Sequence, residues 1–216
     1  MDLKSEHKKN ATSYSIEDVN NVVVTIEGTY FTYKGIKCFV NLLGKHQLTN
    51  LIGEIKVAEY LKLPMEYIIK RLALIKAEPH RMSVTKGTTT IIDDSYNANF
   101  DSLKYALKFL GTFPERKIAV IGTMLELGKY SQKLHTELGN FVVSENIDIL
   151  ITVGNDTEFI NQKALELGFD ENNQYHFTNN LDAINLIDSI SKKNDVILIK
   201  ASNGLKFKEI VEHLSK

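Results

Sequence analysis

The rhythm of hydrophobic and polar positions changes twice along this chain. Three short runs at residues 22–26, 29–33 and 36–43 are rich in β-branched and aromatic side chains, and they break at Glu27-Gly28 and Lys34-Gly35. Runs of this kind punctuated by glycine predict a three-stranded meander. After Gly44-Lys45-His46 the spacing lengthens, and Leu48, Leu51, Ile52, Ile55, Ala58 and Leu61 fall at helical intervals. Pro64, a favoured first-turn residue, opens a second helix carrying Ile68, Leu72 and Ile75 on one face. Beyond residue 81 strand and helix patterns alternate. Strands are predicted at 82–85, 88–92, 117–122, 147–153, 174–177 and 196–199, and helices at 101–110, 132–144, 157–167, 181–190 and 207–214. Such alternation implies a mostly parallel sheet covered on both faces, and an α/β fold class.

The two parts differ in kind. Residues 82–216 read as a whole doubly wound domain, whereas 1–81 offer three strands and two helices, a thin core that reads as the tail of something larger. The boundary falls near residues 81–86.

Bulk properties narrow the function. With 216 residues, 43% hydrophobic and 25% charged, the chain suits one large domain or two small ones with a real core. A net charge of −1 gives no electrostatic case for nucleic acid or an anionic membrane as partner. The single cysteine, Cys38, cannot form an internal disulfide, which fits a reducing cytosol. No apolar run approaches the roughly 20 residues that span a bilayer, and the polar residues 1–11 do not read as a signal peptide. A cytoplasmic location is expected. Asn10-Ala11-Thr12 matches a glycosylation sequon, a pattern short enough to arise by chance.

The densest candidate chemistry is Asp93-Asp94-Ser95-Tyr96-Asn97-Ala98-Asn99, between a strand-like and a helix-like run. The carboxyl end of a strand in an open α/β sheet is where ligands bind. Turn formation and helix capping by the same Asp and Asn residues is the competing reading. Residues 122–129 (Gly-Thr-Met-Leu-Glu-Leu-Gly-Lys) imitate a phosphate-binding loop, but they have one residue too many between the glycines, and Tyr130 stands where Ser or Thr should be. His46 and Asn50, at i and i+4, either face a ligand at a helix start or serve in capping. Arg81, after Pro79-His80, could clamp a phosphate at the domain junction or be an ordinary surface arginine. Glu126 with His135 form a possible acid–base pair, and Lys200, Ser202 and Asn203 lie at a strand end. The six histidines do not cluster at metal-ligand spacing, so no protein-only metal site is expected. The absence of Gly-x-Gly-x-x-Gly after a strand argues against a dinucleotide enzyme.

In combination these segments resemble a known family. Residues 44–50 (Gly-Lys-His-Gln-Leu-Thr-Asn), His80-Arg81-Met82, residues 93–99, residues 122–128 and His135, in that order, resemble the Mur ligases, and among them the MurF type. The resemblance runs from about residue 22 to the C-terminus. It implies the end of a central ATPase domain at 1–81 and a C-terminal Rossmann-like domain at 82–216. It further implies ATP-dependent joining of D-Ala-D-Ala to a UDP-muramoyl-tripeptide through an acyl phosphate, with ATP and Mg as cofactors, in peptidoglycan precursor synthesis. By the same resemblance His46 and Asn50 would contact nucleotide, Asn50 at the adenine. Arg81 would reach the phosphates and Asp94 would position the nucleotide, the two being the catalytic candidates. Asn97 and Asn99 would border the dipeptide site, with Lys200 and Ser202 on the substrate side. The chain departs from the family pattern at Gln47, Phe100, Ala201 and Asn203, where Asn, Pro, Gly and Arg are frequent. The family's P-loop lysine and magnesium ligands have no counterpart in these residues, so no ligase activity is expected of the polypeptide by itself. It would be a truncated product or a partner to a separate N-terminal ligase chain. The alternative is a non-catalytic nucleotide- or amino-acid-binding module of the same descent.

Overall fold

The structure, a computed structural model, describes residues 11–215, with the side chains of Lys45 and His46 outside the description. The sequon asparagine, Asn10, also lies outside the described residues. The chain divides into two compact units, one ending at Ala77 and one beginning at Glu78.

In the first unit, β1 (Val19–Thr25), β2 (Gly28–Tyr33) and β3 (Ile36–Val40) form an antiparallel meander in that order. Tyr33 pairs with Ile36 across a two-residue turn, Lys34-Gly35, and both turn residues have positive φ (47° and 81°). That is the turn whose twist matches its flanking strands, and it favours glycine at the second position. Helix α1 (Lys45–Tyr60) lays Leu48, Leu51, Ile52 and Ile55 against Phe31, Tyr33, Cys38 and Val40, and α2 (Met65–Leu72) adds Ile68 and Leu72. The third strand stops three residues before its predicted end. Asn41 leaves the meander to bridge Lys76, and Gly44, at φ 101°, turns the chain into α1.

The second unit is built on a six-stranded sheet. Its strands are β4 (Ser83–Lys86), β5 (Thr90–Asp93), β6 (Lys117–Gly122), β7 (Ile149–Val153), β8 (Gln174–Phe177) and β9 (Val196–Lys200). Their spatial order is β4-β5-β9-β6-β7-β8, and every pairing is parallel except that of the β4–β5 hairpin. Strands β6, β7 and β9 are buried along their whole length. This is why they read as continuous apolar runs and not as alternation. On one face Ile118, Val120, Ile151, Ile197 and Ile199 pack against Ala183 and Ile187 of α6 (Asn180–Ile190) and Ile210 of α7 (Lys208–Leu214). Helices α3 (Phe100–Gly111), α4 (Ser131–Ser144) and α5 (Glu158–Glu166) complete the unit, with Leu103, Leu107, Leu138 and Ile160 fully buried. Two predicted strands start two residues later than expected. Thr88 and Thr89 lie in the β4–β5 turn, and Asn146, at φ 51°, ends a turn that leaves Ile147 outside β7.

Strand β9 lies between β5 and β6, though it follows them both by many residues. The polypeptide therefore leaves β5 and β6 on either side of a slot that a later strand fills, and the carboxyl ends of all three meet at one edge.

Candidate functional site

That edge begins with Asp93, which closes β5, and Asp94, which follows it. Asp93 accepts from the Ser95 amide at 3.0 Å and the Ser95 hydroxyl at 2.7 Å through Oδ1. Its Oδ2 accepts from His80 Nδ1 at 2.7 Å. Asp94 accepts the Met82 amide at 3.1 Å through Oδ1 and the Lys200 ammonium at 2.5 Å through Oδ2. One carboxylate thus holds the residue before Arg81 and the other the residue after it. His80 and Met82 both have left-handed backbone, at φ 64° and 52°. That conformation costs a side-chain-bearing residue roughly 1–2 kcal/mol. Burial of Met82 and the bond from the Tyr96 amide to the His80 carbonyl, 2.9 Å, help to hold it. The product is a tight twist that presents Arg81, whose guanidinium lies 3.9 Å from the centroid of the Tyr96 ring. A cation over an aromatic face is attracted by the ring quadrupole.

Arg81 and Asp94 belong to one compact unit, whereas the resemblance placed them in separate domains. His46 and Asn50 lie on α1 of the other unit. The Asn50 side chain is exposed, and that of His46 lies outside the described residues.

Lys200 ends β9 and is 1% exposed. Its ammonium donates to Asp94 and, at 2.8 Å, to the carbonyl of Asn97. Burial pushes its pKa down, the Asp94 charge resists that shift, and the Arg81 charge adds to it. Ser202 plays a similar internal part. Its hydroxyl accepts from the Leu125 amide at 2.9 Å and donates to the Ala98 carbonyl at 3.4 Å, tying the loops after β5, β6 and β9 together. Gly122 allows β6 to approach this close, because a Cβ there would lie 2.5 Å from that of Ala201 and 2.7 Å from the Phe207 ring.

The three tied loops enclose a cleft of about 480 Å³ lined by Tyr96, Asn97, Asn99, Glu126, Ser202 and Asn203, with backbone and apolar neighbours. Asn97 is exposed on its wall. Asn99 also caps α3, its side-chain oxygen accepting from the Ser102 amide at 2.8 Å. The capping reading therefore describes Asn99, while Asn97 stands exposed at the cleft.

The loop after β6 is anchored by His135. Fully buried, it accepts the Met124 amide on Nε2 at 3.0 Å and donates from Nδ1 to the Ser131 carbonyl at 2.8 Å. Burial lowers its pKa, with the Ser131 contact opposing. Both ring nitrogens are occupied by backbone, so His135 serves as a brace for the loop that carries Glu126. Glu126 itself takes a left-handed conformation, φ 66°.

Sequence reasoning gave no role to His80 or Tyr96 individually, and it paired Glu126 with His135, whose ring nitrogens are both taken by backbone groups. The signals were present in His80-Arg81-Met82 and in Tyr96 following Asp93-Asp94-Ser95, but their meeting depends on the β4–β5 hairpin.

Neither aspartate offers a free face to a metal ion. All their oxygens accept hydrogen bonds from within the protein. Among the described residues no group of three His, Cys, Asp or Glu could hold one.

Residues 80–203 match the family model described as Mur ligase, glutamate ligase domain. The UDP-N-acetylmuramoyl-tripeptide–D-alanyl-D-alanine ligase of Bacillus subtilis (strain 168) is 34% identical over 207 residues, covering 93% of this chain and 44% of its own. The enzyme of the same name from Escherichia coli (strain K12) is 28% identical over 204 residues, covering 91% and 44%. Among solved structures, MurF of Acinetobacter baumannii aligns with a TM-score of 0.78 at 24% identity, over 92% of this chain and 45% of that one. MurF of Thermotoga maritima in complex with ADP aligns at 0.74 and 25% identity, over 91% and 45%. The chain spans a little under half the length of the curated relatives it matches.

Proposed function

This chain belongs to the Mur ligase family, and on that premise we propose that it is the C-terminal portion of a MurF-type ligase. Its reaction joins D-Ala-D-Ala to a UDP-muramoyl-tripeptide at the expense of ATP, in cytoplasmic peptidoglycan precursor synthesis. No helix among the described residues is long and apolar enough to cross a membrane. The observation that carries the reading is the gathering of Arg81, Asp93, Asp94, Tyr96, Lys200 and Ser202 at the edge where β9 enters between β5 and β6. It is supported by the 34% identity to the Bacillus subtilis enzyme.

The chemistry needs phosphoryl charge to be neutralised and an amine to be held in line with an activated carboxyl. Arg81, exposed and fixed by the twist between His80 and Met82, supplies a cation for the phosphates. Asp94 acts by orientation, because it grips the Met82 amide and Lys200 together. Lys200 and Ser202 shape the loop bearing Asn97 and Asn99, and the cleft that this loop borders receives the dipeptide. Asn50 is assigned to the adenine end and His46 to the nucleotide. Bound ATP supplies the activating phosphoryl group. These residues fit one charged contact to it and no cradle, and none of them fits magnesium. The P-loop and the metal ligands are assigned to polypeptide outside these 216 residues, in the same chain or in a separate N-terminal one.

The test uses the purified chain with ATP, magnesium, UDP-muramoyl-tripeptide and D-Ala-D-Ala, with and without an N-terminal MurF portion carrying the P-loop. Product is expected only in the complemented mixture. Turnover by the chain alone, or a complemented mixture that uses D-Glu in place of the dipeptide, would overturn the reading.

A further inference from the structure

The cleft of about 480 Å³ has a neighbour of about 400 Å³, and the two share Asn203 and Gly204 as a common wall. Their charges are opposite. Among the described residues Glu126 is the one Asp, Glu, Lys or Arg side chain lining the first, where the remaining polar side chains are Tyr96, Asn97, Asn99, Ser202 and Asn203. The second is lined by Lys206 and Lys208 with Glu209, a net single positive charge.

Both charged walls are held in place. Glu126 sits two residues after the Met124 amide that His135 fixes, and one after the Leu125 amide that Ser202 fixes. Lys206, left-handed at φ 54°, closes a short turn by donating its amide to the Asn203 carbonyl at 3.0 Å, and the next residue, Phe207, is anchored in the core. A negative cleft joined to a positive one across an amide-bearing wall matches a small zwitterion. An extended dipeptide spans about 7 Å from amine to carboxylate, at about 3.5 Å per residue. Its central peptide group would then lie along Asn203 and the amides opposite.

The polarity follows from Tyr96. That residue lines the cleft containing Glu126 and carries the Arg81 guanidinium on its ring. The amine end of a bound dipeptide is therefore the end nearer Arg81, as an attack on a phosphorylated carboxyl requires. We propose that the two clefts form one zwitterion site in which Glu126 receives the ammonium of the incoming D-Ala-D-Ala, and Lys206 with Lys208 its carboxylate. This rests on the MurF reading and adds the residues that recognise each end of the dipeptide.

The experiment titrates the isotope-labelled 216-residue chain, followed by amide resonances, with three probes: D-Ala-D-Ala, its N-acetyl derivative and its C-terminal amide. D-Ala-D-Ala is expected to move the resonances of Asn97, Asn99, Asn203 and Gly204 and to bind more tightly than either blocked form. Glu126→Gln should weaken it about tenfold, the loss expected of one charge-assisted contact at an exposed site, and remove the preference over the N-acetyl form. The double variant Lys206→Gln, Lys208→Gln should instead remove the preference over the amide. These side chains are exposed, and unchanged thermal unfolding would verify that the variants fold. If the variants bind all three probes as the parent does while the cleft resonances still move, the zwitterion site is wrong and the dipeptide cleft stands. If D-Ala-D-Ala moves none of those resonances in the parent chain, both are wrong.

Discussion

Replacing Lys200 by methionine tests the site where its physics is most extreme. The side chain has room for an apolar isostere, so the change removes charge and hydrogen bonds more than volume. What remains is the Asp94 carboxylate, 9% exposed, which keeps the Met82 amide but loses the ammonium 2.5 Å away. The Asn97 carbonyl also loses its donor at 2.8 Å. Leaving one member of a buried ion pair without its partner costs about 3–5 kcal/mol, a large share of the roughly 5–15 kcal/mol that stabilises a typical domain. Asp94→Asn in the same background removes the stranded charge and keeps an oxygen for the Met82 amide. The double variant should recover about 2 kcal/mol or more of the loss, a coupling of the size seen between contacting residues. Urea unfolding should be followed through amide resonances of the second unit, because far-UV ellipticity would sum over both units. A cost below about 1 kcal/mol for Lys200→Met, or strict additivity in the double variant, would refute the buried-pair argument.

Two further outcomes follow from features of the same edge. Burial holds the His135 pKa below its ordinary 6.5, so the unfolded chain takes up a proton that the folded chain refuses as pH falls through that value. Its contribution is present above 6.5 and lost below, at up to about 1.4 kcal/mol per pH unit for one proton. The stability advantage of the parent over His135→Gln, measured by urea unfolding, should therefore shrink on acidification, and an advantage that grows would contradict the neutral imidazole. Gly122→Ala places a methyl 2.5 Å from the Ala201 Cβ and 2.7 Å from the Phe207 ring. Overpacking of this kind costs typically 1–3 kcal/mol, and a variant as stable as the parent in thermal unfolding would show that β6 and β9 can part without strain.

Much of the fold was legible because its elements are locally consistent. Runs such as Ile118 to Ile121 and Val196 to Ile199 are apolar at every position, as strands buried on both faces must be, and Leu103, Leu107 and Leu110 keep helical spacing. The order of the strands was not legible. Nothing local to Val196–Lys200 says that it enters between β5 and β6 instead of extending an edge. The site suffers from the same blindness. Asp93 and Asp94 stood out as polar residues at a strand end, yet their partners, His80 and the Met82 amide, come from across the β4–β5 hairpin. Lys200 is placed on the substrate side by the family resemblance, at the end of its strand, and lysines are rarely buried. Its burial depends on Asp94 and Asn97 arriving from the loop after β5, more than a hundred residues earlier. His135 read as half of an acid–base pair because spacing cannot reveal that both nitrogens are taken by backbone.

The position of β9 has a consequence for biosynthesis. The central strand of the second sheet is the last of its six to leave the ribosome, so nascent β5 and β6 each present an unpaired inner margin until residues 196–200 emerge. Unpaired strand margins recruit foreign strands. A stalled or prematurely terminated translation product would thus be an aggregation hazard, and cells making this protein gain from chaperone cover until the final strand slots home.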